Sequence, residues 1–243
     1  MARIRRLGSP PITEALLDFR VTLPPDFRAQ ALADVGKQLA TRFPKSEEFI
    51  AVEARLSPAL PPAQRKSYHG QRFKSEDGTE IVQFRIDGFT YNRLKPYPGW
   101  DAFFPQALDL WRLYVATTAP EAVTRMAVRY INHLELPALP DDLSRFLTAP
   151  PTLPEAIPGR ITGFRNRVSV HDTQAGLSAH LTQACDPNPE PGALTVTLDV
   201  DAYKPLTSEI GDNELVAMFG ALHDFKNALF FGSITEATAE MYE

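Results

Sequence analysis

The residues of this 243-residue chain whose types and spacing suit chemistry are arginines and aspartates set at even intervals on strand-like runs. Thr124, Met126, Val128 and Tyr130 alternate with Arg125, Ala127, Arg129 and Ile131, so the Arg125 and Arg129 side chains leave the same face of a strand. Arg72, Arg85, Arg93, Arg165 and Arg167 lie on the runs expected to neighbour it. If these outward faces belong to one sheet, planar bidentate donors line it, suited to carboxylate or phosphate. Interleaved Tyr68, Tyr91 and Asn92 are candidates to stack on or hydrogen-bond a base. The competing reading is a solvated sheet face that uses long charged side chains against edge pairing.

Asp199 and Asp201, two apart, also share a strand face. Such a pair can raise one carboxyl pKa for acid/base work or hold a divalent cation. It can equally be the solvated side of a strand that buries Leu198 and Val200. The five histidines are dispersed; only His171 and His180 are expected near one another, across a hairpin. No Cys or acidic third ligand accompanies them at metal-binding spacing, and Cys185 is the only cysteine. Gly-rich phosphate loops, Gly-x-Ser-x-Gly elbows and His-Glu-x-x-His are missing, so no metal site and no cofactor is implied.

The elements that would position these groups alternate clearly. Ala15, Leu17, Phe19, Val21 and Leu23 mark one face of a first strand. Phe27, Ala31, Leu32, Val35, Leu39 and Phe43 recur at helical spacing behind an Asp26 cap, and Pro44 closes that helix. Strands are expected at 49–56, 66–74, 79–86 and 89–94, with Pro58, Pro61 and Pro62 in a loop, as an antiparallel meander. A helix from Asp101 carries Phe103, Phe104, Leu108, Trp111 and Val115 as candidates for its buried face. The second half gives a strand from about 122, a break at 137–141, a short helix at 141–147 and a proline-rich loop at 149–159. Strands at 161–170, 177–184 and 194–200 follow. Asp212 then caps a helix with Leu215, Met218, Phe219, Leu222, Phe225 and Leu229 as its stripe; Ile234-Thr235 is read as a short strand before a frayed acidic tail.

Each half therefore reads strand, helix, three or four antiparallel strands, helix, with Lys95-Pro96 and Lys204-Pro205 at matching places. The fold class is α+β: two similar units, 10–118 and 122–235, forming one compact domain with a curved antiparallel sheet and long helices on one face. At 44% hydrophobic and 23% charged residues the composition is that of a globular protein. No signal-peptide pattern or membrane-length apolar run is seen, so a cytoplasmic location is expected. The net charge of −5 hides an asymmetry: residues 1–130 hold 19 Lys/Arg and 14 Asp/Glu, residues 131–243 hold 6 and 16. A basic region facing anions, with an acidic one turned away, is one reading; plain solubility is the other.

Pro10-Pro-Ile-Thr-Glu-Ala-Leu-Leu17, Arg129-Tyr-Ile-Asn-His133, Leu198-Asp-Val-Asp201, and Leu222-His223 followed by Phe230 and Ile234-Thr235 occur in this order. Together they resemble a sporadically distributed bacterial family of roughly this length with no established function. The resemblance implies a bacterial cytoplasmic protein, an accessory, defence or toxin–antitoxin context, and no catalytic residues to transfer. The expectation is a non-enzymatic binding or interaction module for an anionic ligand or a protein partner, with Arg125, Arg129, Arg93, Arg85, Arg72, Arg165 and Arg167 as ligand-binding residues. Self-association is compatible with it. The alternative is an enzyme acting on a phosphorylated or carboxylated substrate, with Asp199 and Asp201 catalytic and arginines as clamps.

Overall fold

The computed structural model describes residues 1–57, 60–137, 142–159, 161–186, 193–206 and 211–243, with side chains for all of these except 51–57, 60–66, 137, 193 and 212. Its centre is one open sheet of nine strands: β1 (Ile12–Thr22), β2 (Lys45–Ser57), β3 (Leu60–Lys74), β4 (Glu80–Arg85), β5 (Gly88–Leu94), β6 (Ala122–Pro137), β7 (Phe164–Asp172), β8 (Leu177–Cys185) and β9 (Ala193–Pro205). The spatial order is β2-β3-β4-β5-β1-β6-β9-β8-β7, and every neighbouring pair is antiparallel. β1 and β6 thus lie side by side in the middle, each flanked on its outer side by the last strand of its own half.

Two long helices, α3 (Trp100–Thr118) and α4 (Asp212–Ser233), cover one face of this sheet; α3 lies on β5 and α4 on β6, β9 and β8. The alternation of β1 explains why. Ala15, Leu17 and Phe19 are fully buried on the helix side, as are Met126, Val128 and Tyr130 of β6 and Leu198, Val200 and Ala202 of β9. Phe19 stacks on Trp111 of α3 at 3.7 Å between ring centres and meets Phe219 of α4 edge-on at 5.2 Å, so one β1 side chain joins both helices to the sheet. Each such side chain withdrawn from water contributes about 1.5–3 kcal/mol. A second apolar cluster, with Leu134, Val196, Phe230 and Ile234, continues the core under the end of α4.

The aromatic residues of the α3 stretch divide between two roles. Phe103, Trp111 and Tyr114 are core, while Trp100 and Phe104 are partly buried at the seam with α4. The helix expected over 27–43 is instead two short helices, α1 (Ala31–Asp34) and α2 (Gly36–Leu39), without a side-chain cap at Asp26. The run is interrupted at Val35, a turn residue between the two helices; Gly36 opens α2, with Phe73 close enough that a Cβ there would lie 3.0 Å from the ring. Leu32, Val35, Leu39 and Phe43 are buried nonetheless, so the apolar spacing marked the contacts correctly and the continuity wrongly.

Pro61 and Pro62, expected in a loop, lie within β3. Their missing donors are tolerated because among the described residues this stretch pairs only with β2; β4 meets β3 from Gly70 to Lys74. The expected loop at Pro58 and the strand break at 138–141 fall outside the described residues. The short helix after the break is a single 3-10 turn, Leu143–Arg145, capped by the Asp142 carboxylate. Asp212 is the first residue of α4 rather than its cap, which is Gly211.

The acidic tail is folded, not frayed. Ile234 makes one bridge to Leu147, and α5 (Glu236–Glu240) follows with Thr238 and Ala239 fully buried. The basic N-terminus meets it: the Ala2 amide donates to the Phe231 and Ile234 carbonyls, and Arg5 pairs with Glu236 at 2.7 Å and Glu243 at 2.8 Å. Part of the charge asymmetry between the halves is thereby neutralised inside the fold.

Candidate functional site

The sheet face opposite α3 and α4 carries the charged groups, and strand register dictates which of them meet. On β1, Asp18 and Arg20 alternate with the buried residues, so they point away from the helices. Asp18 lies opposite Thr90 and Ala127, and Arg20 opposite Gly88 and Arg125. On β6 and β9 the register sets Arg129 opposite Asp201 and Ile131 opposite Asp199. The small residues Gly88 and Ala127 leave room for guanidinium groups to lie across the sheet: the Arg85 Nη2 is 3.2 Å from where a Cβ on Gly88 would sit.

Four arginines and four aspartates interlock there. Asp18, nearly buried, accepts from Arg85 Nη2 at 3.0 Å, Thr90 Oγ1 at 2.6 Å and Arg125 Nη1 at 3.3 Å. Arg125 also donates through Nη2 to both oxygens of Asp201, at 2.9 and 3.0 Å, and stands 4.6 Å over the Tyr203 ring. Arg129 forks onto Asp199 through Nε at 2.8 Å and Nη2 at 2.6 Å. Asp87 receives Arg85 Nε at 3.1 Å, His69 Nε2 at 3.0 Å and Arg20. Burial pushes the Asp87 carboxyl up, but Arg85, Arg20 and His69 together outweigh this and hold it below its ordinary value. The fork on Asp199 raises Arg129 above the ordinary arginine value.

Of the seven arginines expected on this face, six are there. Arg72 pairs with Glu47 at 3.0 Å, and the register carries its face through Gln83 and Thr90 to Asp18. Arg165 and Arg167 project on the same side of β7, through Arg167 opposite Thr182 and Thr182 opposite Asp199. Arg93 does not belong: it lies opposite Ala15, on the helix side, and pairs with Glu80 at 3.1 Å. Its odd separation from Asn92 and Thr90 puts it on the other face. For the same reason Tyr91 is buried under α3, stacked on Phe103 at 5.3 Å; Asn92 is on the arginine face but buried against Glu14, so neither offers a surface to a base. Tyr68 packs against the core. His171 and His180 do not face one another; each bonds a serine across the hairpin, Ser178 at 3.0 Å and Ser169 at 3.1 Å. Among the described residues no group of three His, Cys, Asp or Glu is placed to hold a metal.

Asp199 and Asp201 are therefore each occupied by a guanidinium group and are not a free carboxylate pair. Arg129 keeps Nη1 uncommitted among the described residues, with its side chain 41% exposed. Arg165 and Arg167 are exposed and form no ion pair with a described carboxylate. They sit on β7, the edge of the sheet, which among the described residues pairs with β8 alone, over nine consecutive residues without a bulge. Asp18, Arg20 and Asp87, absent from the expected site, were detectable as the polar alternates of β1 and as the turn beside Arg85. A cleft of about 340 Å³ lies beyond the end of β7 and β8, bounded by Leu143, Pro151, Ile161, Phe164 and Cys185; no member of the arginine–aspartate network lines it.

No family model and no curated protein matches the chain. Among solved structures it is similar to the crystal structure of the di-domain ARO/CYC StfQ from the steffimycin biosynthetic pathway. The two are 10% identical, with 93% of this chain and 98% of that one covered, at a TM-score of 0.17, a level at which the likeness carries no argument. No described helix is long and apolar enough to cross a membrane.

Proposed function

We propose that this protein is an interaction module that binds an extended acidic segment of a partner protein along β7 and the adjoining arginine face. The observation that carries this reading is the exposed edge strand itself, with Arg165, Arg167 and His171 on the side that also presents Arg129. An added strand takes up the free amides and carbonyls of β7, and its alternate side chains face the arginines. Aspartates that hold the neighbouring guanidinium groups keep those donors oriented, so less conformational entropy is lost when an outside carboxylate docks. The pairing of Asp199 with Arg129 and of Asp201 with Arg125 favours this module over an enzyme that uses them as acid, base or metal ligands. The mirror-like strand order about β1 and β6 supports a further proposal, that the two halves descend from one duplicated α+β unit.

The test is fluorescence anisotropy at low salt with three labelled probes: a peptide alternating glutamate and valine, its glutamine counterpart, and a single-stranded oligonucleotide of equal length. The expected result is micromolar binding of the acidic peptide alone, equivalent to about 8 kcal/mol. It should fall at least about tenfold, one charge-assisted contact or more, in Arg165→Glu/Arg167→Glu. Binding of the oligonucleotide but not the peptide, or unchanged peptide binding by the variant, overturns the reading.

A further inference from the structure

On the other side of the sheet, α4 has a buried stripe at Leu215, Phe219, Leu222, Lys226 and Phe230, steps of four, three, four and four, with Phe231 and Ser233 also buried at its end. That spacing belongs to an apolar stripe, yet its fourth member is a lysine, 6% exposed. Lys226 Nζ stands 3.8 Å from the centre of the Tyr130 ring and donates to Asn227 Oδ1 at 2.6 Å. No carboxylate lies within 4 Å of it among the described residues. The Tyr130 hydroxyl is in turn 2.6 Å from that of Tyr97, just ahead of α3. One turn back along α4, His223 stacks on Trp100 at 4.2 Å, and Trp100 stacks on Phe104 at 4.7 Å, so aromatic rings close the seam between α3 and α4.

We propose that Lys226 is a nucleophilic amine that captures a small apolar aldehyde or ketone, admitted when the Trp100–His223 stack parts. An ammonium buried without a counter-ion is costly, so the site favours the neutral amine, whose lone pair is the nucleophile. The lone pair attacks the carbonyl carbon and the C=O π pair moves to oxygen. Proton transfer from nitrogen to that oxygen gives the carbinolamine. Loss of water then forms the C=N bond, and the nitrogen ends uncharged in surroundings that disfavour charge. The Tyr97–Tyr130 hydroxyl pair, on the ring that the amine faces, is assigned the relay of that proton. The charged and titratable groups around the amine are consistent with this state: on α4, His223 and the exposed Asp224; on β6, Tyr130; before α3, Tyr97, with Asp101 beyond it. Burial brings the amine down to about 7, with Asp224 opposing, and brings His223 down to about 4, with Lys226 adding to the effect.

The experiment treats the whole protein with benzaldehyde and sodium cyanoborohydride at pH 7 and maps the modified lysines by mass spectrometry. At that pH the neutral fraction of Lys226 exceeds that of an ordinary lysine by about a thousandfold. The expected result is an adduct at Lys226 at least ten times more abundant than at the exposed Lys37, Lys45 and Lys95. Trp100→Ala, checked for folding by circular dichroism, should form it faster. Labelling of the exposed lysines with none at Lys226 in wild type overturns the proposal, whatever the variant does. So does labelling of Lys226 that appears only once urea has unfolded the chain.

Discussion

Replacing Lys226 by methionine gives a stability measurement whose size and sign follow from burial alone. In the folded protein the amine sits at about 7, whereas in the unfolded chain it takes the ordinary lysine value of about 10.4. Between these values the unfolded state holds more protons, so folding becomes more favourable as pH rises. The destabilisation is fully expressed below pH 7 and is relieved towards pH 10. At 1.36 kcal/mol per unit, wild type should gain about 2 kcal/mol between pH 7 and pH 9. Lys226→Met lacks this climb and at pH 7 should exceed wild type by up to about 4 kcal/mol, less whatever the contact with Tyr130 supplied. Urea unfolding at pH 7, 8 and 9, followed by tryptophan fluorescence, reads both quantities. Cys185, Tyr91, Tyr97 and Tyr114 are raised by burial and act oppositely at high pH, but they are common to both proteins and cancel in the difference. Parallel pH profiles for the two proteins would refute the reasoning.

Phe219→Ala removes the ring between Phe19 and Phe104 and should cost about 3–5 kcal/mol in urea unfolding; a midpoint within error of wild type would contradict its place in the core. Arg85→Ala leaves Asp18 nearly buried with fewer donors and should cost about 3–5 kcal/mol. The double variant Asp18→Ala/Arg85→Ala should recover part of that loss, and strict additivity in the double-mutant cycle would show the two to be uncoupled. Gly88→Ala places a Cβ 2.1 Å from the Phe19 carbonyl and should destabilise by about 2 kcal/mol or more. An amide-exchange pattern unchanged across β1 and β5 would show that the strands accommodate it without cost.

Period-two alternation made the central strands legible, because one face of β1, β6 and β9 is buried under the helices and the other is not. Ala15 to Val21 and Thr124 to Tyr130 show this most plainly, and the same parity placed six of seven arginines on the correct face. Arg93 failed because it was grouped by proximity in sequence rather than by its odd offset from Asn92. The pairing of each guanidinium with an aspartate was not legible: Asp201 meets Arg125 across a ladder 76 positions apart, and only the β6–β9 register reveals it. Lys226 is legible by position alone. It falls on the helical stripe between Leu222 and Phe230, but a stripe sought by apolar residues passes over a lysine in its middle. The break of the first helix at Val35 leaves the apolar spacing intact, so the spacing holds no record of it.

The central position of β1 bears on how the chain can be made and divided. β1 leaves the ribosome early, yet its two neighbours, β5 and β6, come more than sixty and about a hundred residues later. Once residues 1–118 have collapsed, β1 still presents a bare hydrogen-bonding edge beside buried Phe19, and only β6 closes it. The first half alone is thus a sheet cut at its middle rather than at a protected margin. Expressed separately, each half exposes its own central strand, β1 or β6, as an unguarded edge. Self-pairing through that strand, as a homodimer or an aggregate, is then the natural fate of either fragment. Mixing the two restores the native seam, which makes the pair a candidate for a split protein that regains its fold only when both pieces are brought together.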